Sequence, residues 1–156
     1  MAGKVDARLR DLKIQLPKPT APVANYLPYV VVGNLVFVSG QLPMGFNGIE
    51  FDGKVGADLS VEDGRKAARL CALNLVAQLR EACSDDLDRV THVVKLGGFV
   101  NCTETFSQQP QVINGASDLM VDIFGDMGKH SRSAVGVSNL PMNVAVEIDG
   151  IFEIRI

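Results

Sequence analysis

The side chain with the clearest chemical purpose is Arg132. It stands at the mouth of an alternating run, Ser133-Ala134-Val135-Gly136-Val137, that reads as a β-strand. A guanidinium is always protonated, and its planar fork meets a carboxylate with two parallel hydrogen bonds that a lysine ammonium does not reproduce. At a strand end such a group is either a solvated charge or an anchor for a small anion, and the residue alone does not separate the two. Other reactive side chains are sparse. Cys71, Cys83 and Cys102 form an odd set at no metal-like spacing, and neither His92 nor His130 has a third ligand nearby. No metal site is expected. The cysteines read as reduced structural thiols, with Cys71 and Cys83 inside a helical pattern.

Composition narrows the setting of that arginine. With 156 residues, 47% hydrophobic and 21% charged, the chain predicts one globular domain over 1–156. There is no Trp and there are only 2 Tyr and 7 Phe, so the core must be mainly aliphatic. The net charge of -3, with no three Lys/Arg in a row, argues against a broad footprint on a phosphate backbone but leaves room for a small anion site. No apolar run approaches the ~20 residues of a membrane span. The stretch MAGKVDARLRDLKIQ is charged throughout and lacks an apolar signal core, so a cytoplasmic location is expected.

The elements that must position Arg132 follow from periodicity. Val5, Leu9 and Leu12, with Ile14 just beyond, predict a short amphipathic helix over 4–14, which LPKPTAP then interrupts. YVVVGNLVFVSGQLP predicts two strands split by the turn-prone Gly33-Asn34. GFNG is a second turn, with a further short strand around 49–51. Ser60 and Asp63 resemble a capping box opening a helix whose stripe runs through Ala68, Ala72, Leu75, Leu79 and Ala82, widened by Cys71, Val76 and Cys83. THVVKLGGFVNC is a strand whose Gly97-Gly98 pair suggests a bulge or a close backbone approach. A second helix follows Pro110, with Val112, Ile113, Ala116, Leu119, Met120, Ile123 and Phe124 inward and Gly125 as its stop. Strands over 132–138 and 144–154, joined by NLPMN, end the pattern. The order β-β-β-α-β-α-β-β predicts an α+β domain: a mixed sheet of about six strands with two main helices on one face. Apolar residues on both sides of VVVGNLVFV and VAVEIDGIFEI leave an uncovered face that closed, cyclic assembly would bury.

Four stretches, in order, carry a resemblance: LPY at 27–29, SGQLP at 39–43, Asn114, and RSAVGVSNLP followed by VAVEIDGI over 132–151. Together they resemble the RidA/YjgF family, whose members are often labelled endoribonuclease L-PSP-like. The match spans most of the chain beyond an N-terminal extension, 1–25. The resemblance implies a chorismate-mutase-like fold, a homotrimer with a central barrel, and clefts at subunit interfaces. It implies hydrolysis of enamines and imines such as 2-aminoacrylate or 2-iminobutanoate to a 2-oxo acid and ammonia. Arg132 then binds the substrate carboxylate, and Glu147 orients water or shuttles a proton. Tyr29 and Asn114 line the cleft, Gly40 lies in the SGQLP turn, and backbone groups at Ala134 contact the substrate nitrogen or the water. Many relatives carry Cys at the position of Ala134, so a thiol role is not available here.

No cofactor is implied. The partners expected are a small 2-imino or 2-oxo acid and two further copies of the chain, with neither membrane nor nucleic acid. A regulatory trimer that holds a small carboxylate without turnover is the alternative, and retained Glu147 favours the enzyme. An endoribonuclease stands last, because neither histidine lies in a matched motif and aromatics for base stacking are few. One geometric tension remains. If NLPMN closes a symmetric hairpin, Arg132 faces Gly150 and Glu147 points to the other side. A bulge, an offset register or convergence from two subunits must then join them. The glycine-rich GFNGIEFDGKVG excursion and a segment between Asn114 and Arg132 that is one residue longer both depart from the family pattern.

Overall fold

Apolar periodicity becomes two long helices laid across one face of a twisted sheet. A computed structural model describes residues 3–22 and 24–156. Three helices, α1 (Lys4–Asp11), α2 (Val61–Ala82) and α3 (Gln109–Phe124), accompany seven strands: β1 (Tyr29–Val32), β2 (Leu35–Gln41), β3 (Met44–Gly45), β4 (Gly48–Ile49), β5 (Val90–Asn101), β6 (Ser131–Val137) and β7 (Val146–Ile154). The main sheet has five strands in the order β1-β2-β7-β5-β6, and β3-β4 form a separate ribbon. The mixed sheet and one-sided helices agree with the sequence pattern. No described helix is long and apolar enough to cross a membrane.

Local chemistry sets the ends of the elements. Gly33, at φ 61°, turns the chain from β1 into β2. The Ser60 hydroxyl accepts from the Asp63 N–H while the Asp63 carboxylate accepts from the Ser60 N–H, so both orphan donors at the start of α2 are used. Pro110 stands in the first turn of α3, and Gly125, at φ 64°, ends it. The helices meet at Gly115. A Cβ there would lie 2.1 Å from the Arg65 carbonyl oxygen, so only glycine allows this crossing. The core between helices and sheet is aliphatic, with Leu75, Leu79, Leu96, Ile113, Leu119, Ile123 and Ile148 fully buried around the one fully buried phenylalanine, Phe152.

The main correction concerns the last two strands. NLPMN does not close a hairpin. It passes through a single 3-10 turn, Pro141–Asn143, with Met142 and Asn143 at positive φ, and carries the chain over β5. β7 then inserts between β2 and β5, antiparallel to both, while β6 pairs in parallel with the other edge of β5. Alternation alone does not distinguish these pairings, because each strand presents the same two faces in either. The Gly97-Gly98 pair is a close approach and not a bulge: a Cβ on Gly98 would lie 2.7 Å from Ile113 of α3.

The N-terminal segment is part of this body. The Asp88 carboxylate accepts from the backbone N–H groups of Lys4 and Val5, at 2.9 Å each, capping α1 from another part of the chain. Val5 and Leu9 are buried, and Asp6 pairs with Arg80 of α2. Helix α1 is shorter than the 4–14 pattern and ends at Asp11, with Lys13 at positive φ. All three cysteines are free and buried.

Candidate functional site

Arg132 leaves β6 on the helix side of the sheet. Its Nη1 donates to the Ser117 hydroxyl at 3.0 Å and its Nη2 to the Pro110 carbonyl at 3.3 Å, so the guanidinium lies along the sheet-facing edge of α3. Pro110, Asn114 and Ser117 recur at spacings of four and three, one stripe of the helix, and this puts Asn114 beside the fork. Ala134, two residues on, shares the face and packs against the core, opposite Gly98. Arg132, Asn114 and Ala134 thus form one group at the β6 edge.

Glu147 leaves β7 on the opposite, open face. Its neighbours Val146 and Ile148 are wholly buried beneath the helices, and alternation turns Glu147 away from them. Its carboxylate lies over Gly40 of β2: a Cβ at Gly40 would stand 2.1 Å from Glu147 Oε2. Gly40 belongs to a bulge, since four residues of β2, Val38 to Gln41, span only three of β7, Gly150 to Ile148. Burial pushes the Glu147 carboxyl up from its ordinary value, and the negative charge of Asp149, two residues on, pushes the same way. Gly40 also walls a cavity of about 120 Å³, shared with Ala21, Pro22, Tyr26 and Leu42.

Tyr29 stands in a third place. It pairs with Val38 at the far edge of the sheet, and burial raises its phenol pKa, followed by the charges of Glu81 and Cys83. A continuous cross-strand row runs Tyr29–Val38–Gly150–Leu96–Arg132, so three strands separate the phenol's strand from the guanidinium's. Gly150 does share a row with Arg132, as the hairpin reading had it, but Leu96 of β5 lies between them. Register slips in β5 fall before Lys95 and leave the stretch Leu96–Val100 regular, so no bulge reunites Arg132 with Glu147 inside one protomer.

Three residues beyond the sequence reading belong to this picture. Ser117 accepts from the Arg132 fork and His130 stands behind Ser117, and neither lies in a quoted motif. The spacing of Ser117 three residues after Asn114, on one helical stripe, was the available signal. Asp149 joins Glu147 on the open face and accepts from the Gly97 N–H. The open face is less uniformly apolar than the sequence pattern suggested: Val30, Phe37, Phe99, Val135 and Ile151 surround Lys95, Glu147 and Asp149. Near the end of the glycine-rich excursion stands Lys54, whose ammonium donates to Asn101 Oδ1 at 2.9 Å and to the Ser138 carbonyl, binding the loop to the ends of β5 and β6. Among the described residues no three His, Cys, Asp or Glu side chains gather as a metal set.

A family model described as "YjgF/chorismate_mutase-like, putative endoribonuclease" matches residues 6–152. The chain belongs to the YjgF family. Within the YjgF proteins it is 48% identical over 155 residues to Protein TCP17 of Trypanosoma cruzi, covering 99% of this chain and 96% of that one. The crystal structure of Atu1372 from Agrobacterium tumefaciens, a protein of unknown function, superposes with a TM-score of 0.91 at 45% identity, covering 97% of this chain and 92% of that one. A 2-iminobutanoate/2-iminopropanoate deaminase of Dermatophagoides farinae is 29% identical over 143 residues, covering 91% and 95% of the two chains. The matches to TCP17 and Atu1372 take in 99% and 97% of this chain, and so extend into the α1 region as well as the sheet.

Proposed function

We propose that the chain hydrolyses reactive enamines or imines of the 2-aminoacrylate or 2-iminobutanoate type to 2-oxo acids and ammonia, at sites shared between copies in a homotrimer. The observation that carries this reading is Glu147: a half-buried carboxylate with a raised pKa, seated over a glycine on a face that nothing in the protomer covers. Burial and the Asp149 charge favour its protonated form more than in a free carboxyl, and a carboxyl that can both take and return a proton is what imine hydrolysis requires of its general acid and base. The deaminase relative at 29% identity supports the same chemistry.

In the proposed arrangement one copy supplies Arg132, Asn114 and the backbone at Ala134 from its β6 edge. The next supplies Glu147 and Gly40 from its open face. Arg132 grips the substrate carboxylate bidentately. Water attacks the imine carbon as Glu147 takes a proton from it. The protonated Glu147 then returns that proton to nitrogen, giving a carbinolamine. Glu147 next takes the proton of the new hydroxyl and passes it to the amino group, and as the C–N bond breaks ammonia leaves and the carbonyl forms. Substrate and water supply every atom, so no co-reactant is needed. A ribonuclease reading has less support, because on the open face Lys95 stands beside two carboxylates, Glu147 and Asp149, where phosphates would need a cluster of cations.

The test is to generate the imine in situ with an amino-acid oxidase or a threonine dehydratase and follow its disappearance. Acceleration over the buffer rate is expected. Buffer-rate decay with the folded protein present overturns the reading.

A further inference from the structure

Around Arg132 the hydrogen bonds have only one consistent direction. Arginine donates and never accepts, so the Ser117 oxygen accepts from Arg132 Nη1 at 3.0 Å. At the other end, His130 Nδ1 lies 2.6 Å from the Gly128 carbonyl oxygen, which only accepts. Nδ1 therefore carries a hydrogen. In the neutral ring that leaves Nε2 as a bare acceptor, 2.8 Å from the Ser117 oxygen. The single hydroxyl hydrogen of Ser117 points at Nε2, and its lone pairs face the guanidinium. The Gly128 end is itself held in place: it closes the 3-10 turn Gly125–Gly128, and a Cβ on Gly128 would lie 2.2 Å from the Met120 carbonyl oxygen.

We infer that His130 is a positioning residue for Arg132, acting through Ser117: the Gly128 carbonyl selects the Nδ1–H tautomer, the tautomer sets the Ser117 hydroxyl, and the hydroxyl holds the fork in its rotamer. This rests on the reading of Arg132 as the carboxylate anchor. A side chain with four rotatable bonds loses much freedom when it grips a planar anion, and a fork already fixed at one nitrogen has less left to lose. The Nη2–Pro110 contact fixes the other nitrogen, so the relay and the first turn of α3 together set the plane in which a carboxylate is met.

Two measurements need no substrate. Side-chain nitrogen NMR of the wild-type protein should show neutral His130 as the Nδ1–H tautomer, and the Arg132 Nη groups as separate, slowly exchanging signals. In Ser117→Ala and His130→Phe the Arg132 signals should merge through free rotation. His130→Gln, whose amide oxygen can accept from Ser117, should keep them apart. The functional arm is calorimetric titration with 2-oxobutanoate. Each disrupting variant should weaken binding roughly tenfold, the worth of one hydrogen bond to a charged group. The double variant should bind no worse than Ser117→Ala alone, because His130 has no other route to Arg132. An Nε2–H tautomer in wild type, an Arg132 as ordered in His130→Phe as before, or additive losses in the double variant overturns the relay. If wild type binds no 2-oxo acid, the deaminase reading falls, while the tautomer and the Arg132 signals still decide the relay.

Discussion

Tyr29 and Arg132 occupy the two ends of a single cross-strand row, with Val38, Gly150 and Leu96 between them. Four inter-strand gaps of about 4.8 Å separate them by roughly 19 Å. No small 2-oxo acid spans that distance. The two residues can border one cleft only when the β6 edge of one copy approaches the β1 edge of another, and an apolar open face offers the surface for doing so.

Assembly is therefore the first expectation. Light scattering should give three times the 16.7 kDa of the chain. Phe37→Lys, on the open face beside Val30 and Ile151, should give a folded monomer by circular dichroism with no hydrolysis. A stable, active wild-type monomer at micromolar concentration removes the shared-site arrangement.

Subunit sharing has its own test. Arg132→Ala and Glu147→Gln should each be inactive alone. Co-refolded in equal amounts, they should regain roughly a quarter of wild-type activity, because one interface in four then carries both native residues. No recovery in mixed trimers, verified by mass, places both groups in one protomer's site.

For Arg132, substitution by Ala should abolish measurable calorimetric binding of pyruvate and 2-oxobutanoate. Lys should restore little of it, since a point charge does not replace the fork. Both variants should fold, as the guanidinium lies at a sheet edge.

Glu147→Gln should slow turnover about 10²–10⁴-fold with little change in 2-oxo acid affinity. It should also stabilise the protein at neutral pH. The folded-state pKa of Glu147 is raised, so its ionisation opposes folding, and stability falls as pH rises through the carboxylate range. Melting curves should therefore favour the variant at pH 7 and show no such gain below the ordinary carboxylate pKa. Gly40→Ala should reach the same kinetic outcome by displacing the carboxylate from its seat.

Asp88 offers a pH test of the opposite sign. Backbone N–H bonds from Val5 and Lys4 hold its carboxyl below the ordinary value. The stability it contributes is present above that value and lost as pH falls through the folded-state pKa. Hydrogen exchange should show residues 4–11 losing protection on acidification before α2 does. In Asp88→Ala they should be unprotected already at neutral pH.

Where sequence reasoning succeeded, the information was local. The Ser60–Asp63 box, the Gly33 turn, the Gly125 stop and the stripe of α2 each concern neighbouring residues. Strand partnership is not local. The stretches 131–137 and 146–154 carry the same alternation whether they pair with each other or, as here, each with β5, so the hairpin expectation failed without any strand being misread. The same limit governs the site. Arg132 and Glu147 were legible as residues, and their divergence to opposite faces followed from parity. The contact of Ser117 with the guanidinium, and of His130 with Ser117, depends on how α3 lies over β6, which no spacing within either element encodes.

The strand that unites the sheet is the last of the described strands. β7 follows every other strand in sequence yet occupies the middle position, between β2 and β5. Until it is synthesised, the β1–β2 hairpin and the β5–β6 pair have no shared edge, and both expose rows of unpaired backbone groups. Sheet completion must wait for residues 146–154 to clear the ribosome. A chain that has not yet gained β7 carries two open sheet edges, the kind of surface that invites edge-to-edge association.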